Sequence, residues 1–170
     1  MNILVFSDSH GRPDNMAEAL ARQIKKPDAV IFLGDGLKDI SYIESGDIPL
    51  FSVSGNCDGS LFECFEPTLE SRTVLLGGKR IFITHGHRYF VKHGLSELIR
   101  EAISRDADIV LFGHTHQCLD RVIDAEELSE GRDRPLYLMN PGSIGYYPNS
   151  WGNVEIDREG RILLSHGALL

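Results

Sequence analysis

Five short stretches of the chain carry side chains that bind cations or move protons. They are Asp8-Ser9-His10, Gly34-Asp35, Gly55-Asn56-Cys57-Asp58, His85-Gly86-His87 and His114-Thr115-His116. Carboxylate, amide and imidazole together make a mixed oxygen–nitrogen donor set, which suits Mn²⁺, Fe²⁺ or Zn²⁺ with positions left open for a substrate. Taken singly, each stretch has an ordinary structural reading. Gly-Asp is a common turn dipeptide, Asp-x-His caps helices, and buried histidines are often satisfied by backbone groups. Jointly they are hard to explain that way. Five of the seven histidines fall in two His-x-His pairs and one Asp-x-His, each just after an apolar run. Asp8, His10, Asp35, Asn56, His85, His114 and His116 are too many donors for one ion that must keep open positions. They suit two divalent ions sharing a carboxylate, roughly 3.5–4 Å apart, the arrangement used for in-line displacement at phosphorus.

The elements that would position these groups follow from the apolar runs at 3–6, 29–33, 50–53, 80–84 and 109–112. Uninterrupted apolar runs of this length predict strands buried on both faces, as in α/β layers. Ligands of open α/β sheets gather at the carboxyl ends of the strands, so five such ends bearing Asp, Asn and His predict one pocket. Between the runs, 12–25 reads as a helix with Pro13 near its start and Met16, Leu20 and Ile24 along one face. Leu95, Leu98, Ile99 and Ala102 give 95–105 the same spacing. Gly77-Gly78-Lys79 between 70–76 and 80–84 predicts a hairpin. The tail reads as β structure over 136–139, 152–156 and 161–165, with a turn at 157–160, and the polar stretch 125–135 as an exposed loop. The expectation is an α/β fold with a mixed sheet plus a meander, two sheets sandwiched between helices, in a single domain spanning 1–170.

Bulk properties narrow the partners. A net charge of −8 argues against general affinity for duplex nucleic acid, which needs a basic face. Cations held in a site would still let an acidic protein bind phosphate. The apolar start at 3–6 is far too short for a membrane span or signal core, so no membrane association is expected. Cys57, Cys64 and Cys118 are an odd number without Cys-x-x-Cys spacing. They suggest neither a disulfide framework nor a zinc–thiolate site, and a reducing, cytoplasmic setting is the natural reading.

Taken in order, DSH at 8–10, GD at 34–35, GNCD at 55–58, THGH at 84–87 and GHTH at 113–116 resemble the motif set of the calcineurin-like metallophosphoesterases. The short length and NPGS at 140–143 resemble the small bacterial and archaeal phosphodiesterases of that superfamily. The resemblance implies a four-layer α/β/β/α sandwich with two divalent metal ions at the strand ends. Asp8, His10, Asp35 and His116 would hold one ion, and Asp35, Asn56, His85 and His114 the other, with Asp35 bridging. Mn²⁺ is the favoured ion, with Ni²⁺, Fe²⁺, Zn²⁺ and Mg²⁺ as alternatives. The implied activity is a phosphodiesterase acting on a small-molecule or nucleotide-like phosphodiester substrate through a metal-bridging hydroxide. Asp35, Asn56, Cys57, Asp58 and His85 would form its catalytic set.

Two departures bear on substrate. Cys57 stands where the wider superfamily usually carries a proton-donating His. A thiol with an ordinary pKa of about 8.5 is a weaker acid than an imidazolium, which favours acidic, aryl-type leaving groups. Ser54 stands where protein phosphatases carry an arginine, which favours diesters over dianionic monoesters. Arg12, Arg88 and Lys92 are the nearest cations along the chain, and His87 either faces the pocket or packs near the hairpin. Other readings are a phosphomonoesterase or nucleotidase with the same metals, and a non-catalytic interaction scaffold of the retromer-subunit type. The complete ligand list argues against the scaffold. Residues 140–150 either line the substrate or serve structure, and Tyr146 and Tyr147 would suit a homo-oligomer interface.

Overall fold

The first apolar run forms β1 (Asn2–Phe6), in which Ile3 to Phe6 are fully buried. Its side chains alternate between two cores, which is why the run is continuously apolar. In this computed structural model, which describes residues 1–43, 46–59, 69–128 and 132–169, two five-stranded mixed sheets lie face to face. The first has β1 at its centre. Here β2 (Ala29–Phe32) pairs parallel with β1, β3 (Leu50–Ser52) pairs parallel with β2, and the antiparallel hairpin of β9 (Ser150–Ile156) and β10 (Ile162–Ala168) flanks β1 on the other side. The second sheet runs β4 (Ser71–Leu76), β5 (Lys79–Thr84), β6 (Ile109–Leu111), β8 (Leu136–Pro141), β7 (Cys118–Ile123), with β5, β6 and β8 parallel.

Ile3, Val5 and Ile31 meet Ile81, Ile83, Ile109 and Leu111 between the sheets. On the outer face of the first sheet, α1 (Pro13–Ala21) packs Met16 and Ala19 against Leu4, Phe6, Val30 and Phe32. On the outer face of the second, α2 (Ser96–Ser104) packs Leu98 and Ala102 against Phe82, Val110 and Leu138. Each fully buried side chain of this size contributes about 1.5–3 kcal/mol. The layering is the α/β/β/α order expected. The β4–β5 hairpin turns on Gly77 and Gly78, at φ +56° and +75°, the pair of positive values that a two-residue primed turn requires.

Three expectations need correction. The first helix ends at Ala21 rather than near Lys25, and Ile24 stands fully exposed beyond it. Pro27 disfavours helix at the residue before it, and the chain must return to the sheet at Ala29. Strand β7 occupies a stretch read without an element, because it is an edge strand of mixed polarity whose Cys118, Asp120, Arg121 and Val122 are exposed. The tail is not one meander: β8 joins the second sheet, while β9 and β10 join the first. Within 125–135, a 3-10 turn forms at Ala125–Glu127, and 129–131 lie outside the described residues. Among the described residues no helix is long and apolar enough to cross a membrane.

Candidate metal centre

Because β1, β2, β3, β5 and β6 are linked through parallel pairings within their sheets, their carboxyl ends deliver Asp8 and His10, Asp35, Asn56, His85, and His114 and His116 to one edge of the fold. The first sheet supplies the first four, the second the last three. Asp8, His10, Asp35, His114 and His116 all have left-handed backbones, with φ between +45° and +68°. Non-glycine residues in this region cost of order 1–3 kcal/mol each and concentrate at functional sites. Asp and His are among the residues that tolerate it best.

Six of the seven predicted donors converge measurably. Asp8 Oδ1 lies 3.1 Å from His116 Nε2 and 3.7 Å from His10 Nε2, and the two imidazole nitrogens stand 3.4 Å apart. Asp35 Oδ2 lies 3.4 Å from His85 Nε2 and 4.0 Å from His10 Nε2. His114 Nδ1 is 3.2 Å from His85 Nε2. Asp8–His10–His116 and Asp35–His85–His114 thus form two three-donor groups, and His10, Asp35 and Cys57 form a third between them. Asn56, the seventh, sits exposed in the adjoining turn with its amide donating to Cys57 Sγ at 3.3 Å.

The donors fit a cation. Asp8 is fully buried, yet its Oδ1 finds no hydrogen-bond donor among the described residues, although three imidazole nitrogens lie within 4 Å. A buried carboxylate oxygen left bare is costly unless a charge satisfies it. Burial by itself raises the Asp35 carboxyl. The His85 imidazole and the Cys57 backbone N–H outweigh that effect and hold it well below the ordinary carboxylate range. Burial, reinforced by the charge of His85, pushes His114 down to about 4, so its lone pair is free near neutrality. His85 moves the other way: burial lowers it, but its bond to Asp35 and the charges of Asp8 and Asp35 raise it overall. Its Nδ1 is fixed by the Leu33 carbonyl at 2.8 Å, leaving Nε2 toward the carboxylates.

Around the donors lies a supporting layer that only partly showed in the sequence. Asp58 accepts four backbone N–H groups: those of Asp35 and Gly55 on Oδ2, those of Gly36 and Leu37 on Oδ1, all at 2.7–2.8 Å. Asp35 Oδ1 in turn accepts the Cys57 N–H at 2.7 Å. The two turns touch backbone to backbone. A Cβ on Gly34 would fall 2.4 Å from Gly55 N, and one on Gly55 would fall 2.1 Å from Asp35 Oδ1. Ser7 Oγ donates to Asp8 Oδ2, and buried Asp39 accepts both Ser9 Oγ and the Gly11 N–H. Sequence reading passed over Ser7, Ser9 and Asp39. The first two lie beside ligands, a signal that was available, whereas Asp39 meets them only through the fold.

The NPGS stretch serves the same end. Asn140 is fully buried and donates to the Gly113 carbonyl and Thr115 Oγ1, fastening the second His-x-His turn. Ser143 Oγ donates to the Asp8 carbonyl and accepts from the Tyr146 N–H. The Tyr146 ring stacks on His116, with centroids 5.3 Å apart and planes 21° apart. This segment is both structural and site-lining. Among the other predicted residues, Cys57 is exposed, and partial burial together with Asp35 pushes its thiol up to about 11. Arg88 is held by Glu70 through two hydrogen bonds, and His87 packs beside His85 and His114. Cys118 is free, while Cys64 lies outside the described residues.

Residues 1–158 match the model of the calcineurin-like phosphoesterase superfamily domain, and the chain belongs to that family. It is 31% identical over 145 residues to YsnB of Bacillus subtilis (strain 168), described as a probable metallophosphoesterase, covering 85% of this chain and 75% of that protein. A predicted phosphoesterase from Streptococcus pneumoniae TIGR4 superposes with a TM-score of 0.69 at 27% identity, over 99% of this chain and 97% of that one. Vacuolar Protein Sorting 29 from Cryptosporidium parvum gives 0.70 at 20% identity over the same shares, a likeness of fold alone.

Proposed function

We propose that the protein is a divalent-metal-dependent phosphoric diester hydrolase acting on small substrates. The observation that carries this reading is the place of Asp35, whose Oδ2 stands between His85 of one donor group and His10 of the other. A carboxylate so placed suits the shared ligand of two ions. Asp8, His10, Asp35 and His116 would hold one, and Asp35, Asn56, His85 and His114 the other. Two such cations supply Lewis acidity at phosphorus and make water a competent nucleophile near neutral pH.

The chain's own residues do the rest. Asp35 stays ionised and His114 neutral at pH 7, as ligation requires. Asp58 fixes the turn carrying Asn56 and Cys57 against the turn carrying Asp35. Cys57 occupies the position suited to a leaving-group acid, but a thiol with a pKa of about 11 donates poorly. Aryl-type leaving groups, which depart without a proton, are therefore the preferred substrates. Ser54 supplies no guanidinium, and Arg88 is committed to Glu70. A bidentate guanidinium clamp for a second phosphate charge is then lacking, which favours diesters over monoesters. We read Mn²⁺ as the favoured ion, and a reducing cytosol as the compartment suited to free Cys57 and Cys118. The complete donor set supports catalysis over a scaffold role.

The test compares an aryl phosphodiester with an aryl phosphomonoester, using metal-stripped protein reloaded with Mn²⁺, Ni²⁺, Zn²⁺ or Mg²⁺, alongside elemental analysis of bound metal. Preferential diester hydrolysis with two bound ions per chain is expected. Absence of turnover and of bound metal with all four would reject the reading. Asp35→Asn should lose both binding and turnover; retained activity would reject the ligand assignment.

A further inference from the structure

Solvent reaches the candidate metal centre unevenly. Asp8 and His85 are fully buried and Asp35 is nearly so, whereas the His10 side chain is 21% exposed and that of His116 37%. Asn56 and Cys57 are exposed as well. A substrate therefore approaches past His10 and His116. Tyr146 lies against both. Its ring stacks on His116 at 5.3 Å between centroids and leans on His10 at 5.2 Å, with planes 51° apart. The residue is nonetheless 53% exposed.

Backbone contacts hold the ring in that place. The Ile144 N–H donates to the Ser7 carbonyl and the Gly145 N–H to the Asp8 carbonyl. A Cβ on Gly145 would fall 2.4 Å from the Ser9 carbonyl oxygen, so this close approach needs glycine. Ser143 Oγ accepts the Tyr146 N–H, and the Tyr146 carbonyl accepts the Asn149 N–H at 2.7 Å. The segment is thus bound to the turn that carries Asp8 and His10, and a contact made by Tyr146 costs little further ordering. Tyr146 packs in none of the three apolar cores formed by the described residues. Its ring meets metal donors on one side and open space elsewhere, the kind of rigid aromatic wall that receives a planar group.

His10 connects this ring to Cys57. One donor atom each of His10, Asp35 and Cys57 lie within 4.8 Å of one another, so Cys57 and Tyr146 border the same imidazole. We propose that Tyr146 is a specificity-determining residue whose exposed ring surface stacks on the planar leaving group of a phosphodiester held at the centre. The inference rests on the hydrolase reading and deepens it: the substrates are diesters in which an ester oxygen carries an aromatic ring directly. Its physical ground is separate from the weak acidity of Cys57. A poor proton donor favours aryl leaving groups in the bond-breaking step, whereas stacking acts on binding and so falls on KM.

Two monoanions that resist cleavage separate binding from turnover. Methyl benzylphosphonate carries the ring, with a methylene in place of the leaving oxygen, and methyl ethylphosphonate lacks it. Calorimetry on the full chain loaded with Mn²⁺ should show the benzyl compound binding about tenfold more tightly. Tyr146→Leu should lose most of that discrimination, and Tyr146→Phe should keep it. In the wild type loaded with diamagnetic Zn²⁺, nuclear Overhauser contacts should join the benzyl protons to the Tyr146 ring, a readout that needs no variant. In turnover, Tyr146→Leu should raise KM for an aryl diester about tenfold, with a smaller change in kcat. Failure of both phosphonates to bind the loaded chain would overturn the hydrolase reading and this proposal together. Three results would overturn the role of Tyr146 alone: equal binding of the two by the wild type, discrimination kept in Tyr146→Leu, or Mn²⁺ and both phosphonates weakened alike in that variant.

Discussion

Asp58 and Asp35 are locked crosswise. The Asp58 carboxylate accepts the Asp35 backbone N–H, while the Asp35 carboxylate accepts the N–H of Cys57, the residue just before Asp58. Asp58 also gathers the N–H groups of Gly36, Leu37 and Gly55, so one side chain closes two turns. Hydrogen bonds to a charged acceptor contribute more than neutral ones. Asp58→Ala should therefore lower folding stability by about 3 kcal/mol and metal affinity by about 10–100-fold. Asp58→Asn should fall between the variant and the wild type. Urea unfolding and metal titration measure the two effects; a fully stable Asp58→Ala protein would contradict this role.

Gly55 offers a narrower probe of the same lock. A methyl group there would meet Asp35 Oδ1 at 2.1 Å, so it must displace the proposed shared carboxylate or the turn holding it. Gly55→Ala should lower metal affinity by about 10–100-fold while the far parts of both sheets keep their structure. Calorimetry against Mn²⁺ and the far-ultraviolet circular dichroism spectrum separate these two outcomes.

The acid at position 57 sets substrate preference in this reading. Cys57→His replaces a thiol of pKa about 11 with a group that ordinarily titrates near 6.5. Turnover of alkyl diesters should rise about tenfold or more relative to aryl diesters, within the usual reach of general acid catalysis. Equal effects on both substrate types would show that residue 57 donates no proton.

His114 makes the metal-free protein sensitive to acid. Unfolded, it protonates near 6.5; folded, burial and the charge of His85 hold it down to about 4. Between those values the unfolded chain binds the extra proton, so stability rises with pH and is lost as pH falls from 6.5 toward 4. After allowance for solvent screening, the loss in metal-stripped protein should be about 1–2 kcal/mol. His114→Gln should show a correspondingly smaller loss in urea titrations across that range.

How much of this was legible beforehand depended on which residues carried the signal. β1, β2, β5 and β6 were plain because their residues face two cores at once, and the candidate ligands stood out because each follows such a run. The end of α1 was misread because Ile24 continues the helical spacing of Met16 and Leu20, and only Pro27 hinted that the helix stops earlier. β7 was invisible because an exposed edge strand such as Cys118–Ile123 needs no apolar pattern once β8 supplies its hydrogen bonds. Asn140 could be noticed but not assigned. Its role lies in reaching Gly113 and Thr115, more than twenty residues away, which only the paired sheets bring within range.

Asp8, His10 and Asp35 extend from one sheet, and His85, His114 and His116 from the other. Any cation gripped by both sets is mechanically a clasp across the seam of the sandwich. Its binding energy then opposes separation of the layers as a whole, adding about 2.7 kcal/mol when free metal is a hundredfold above its dissociation constant. A chelator would accordingly do more than silence the centre: it would unfasten one end of the book, leaving the pages to the apolar packing between them and to cross-sheet hydrogen bonds such as that of His85 Nδ1 with the Leu33 carbonyl.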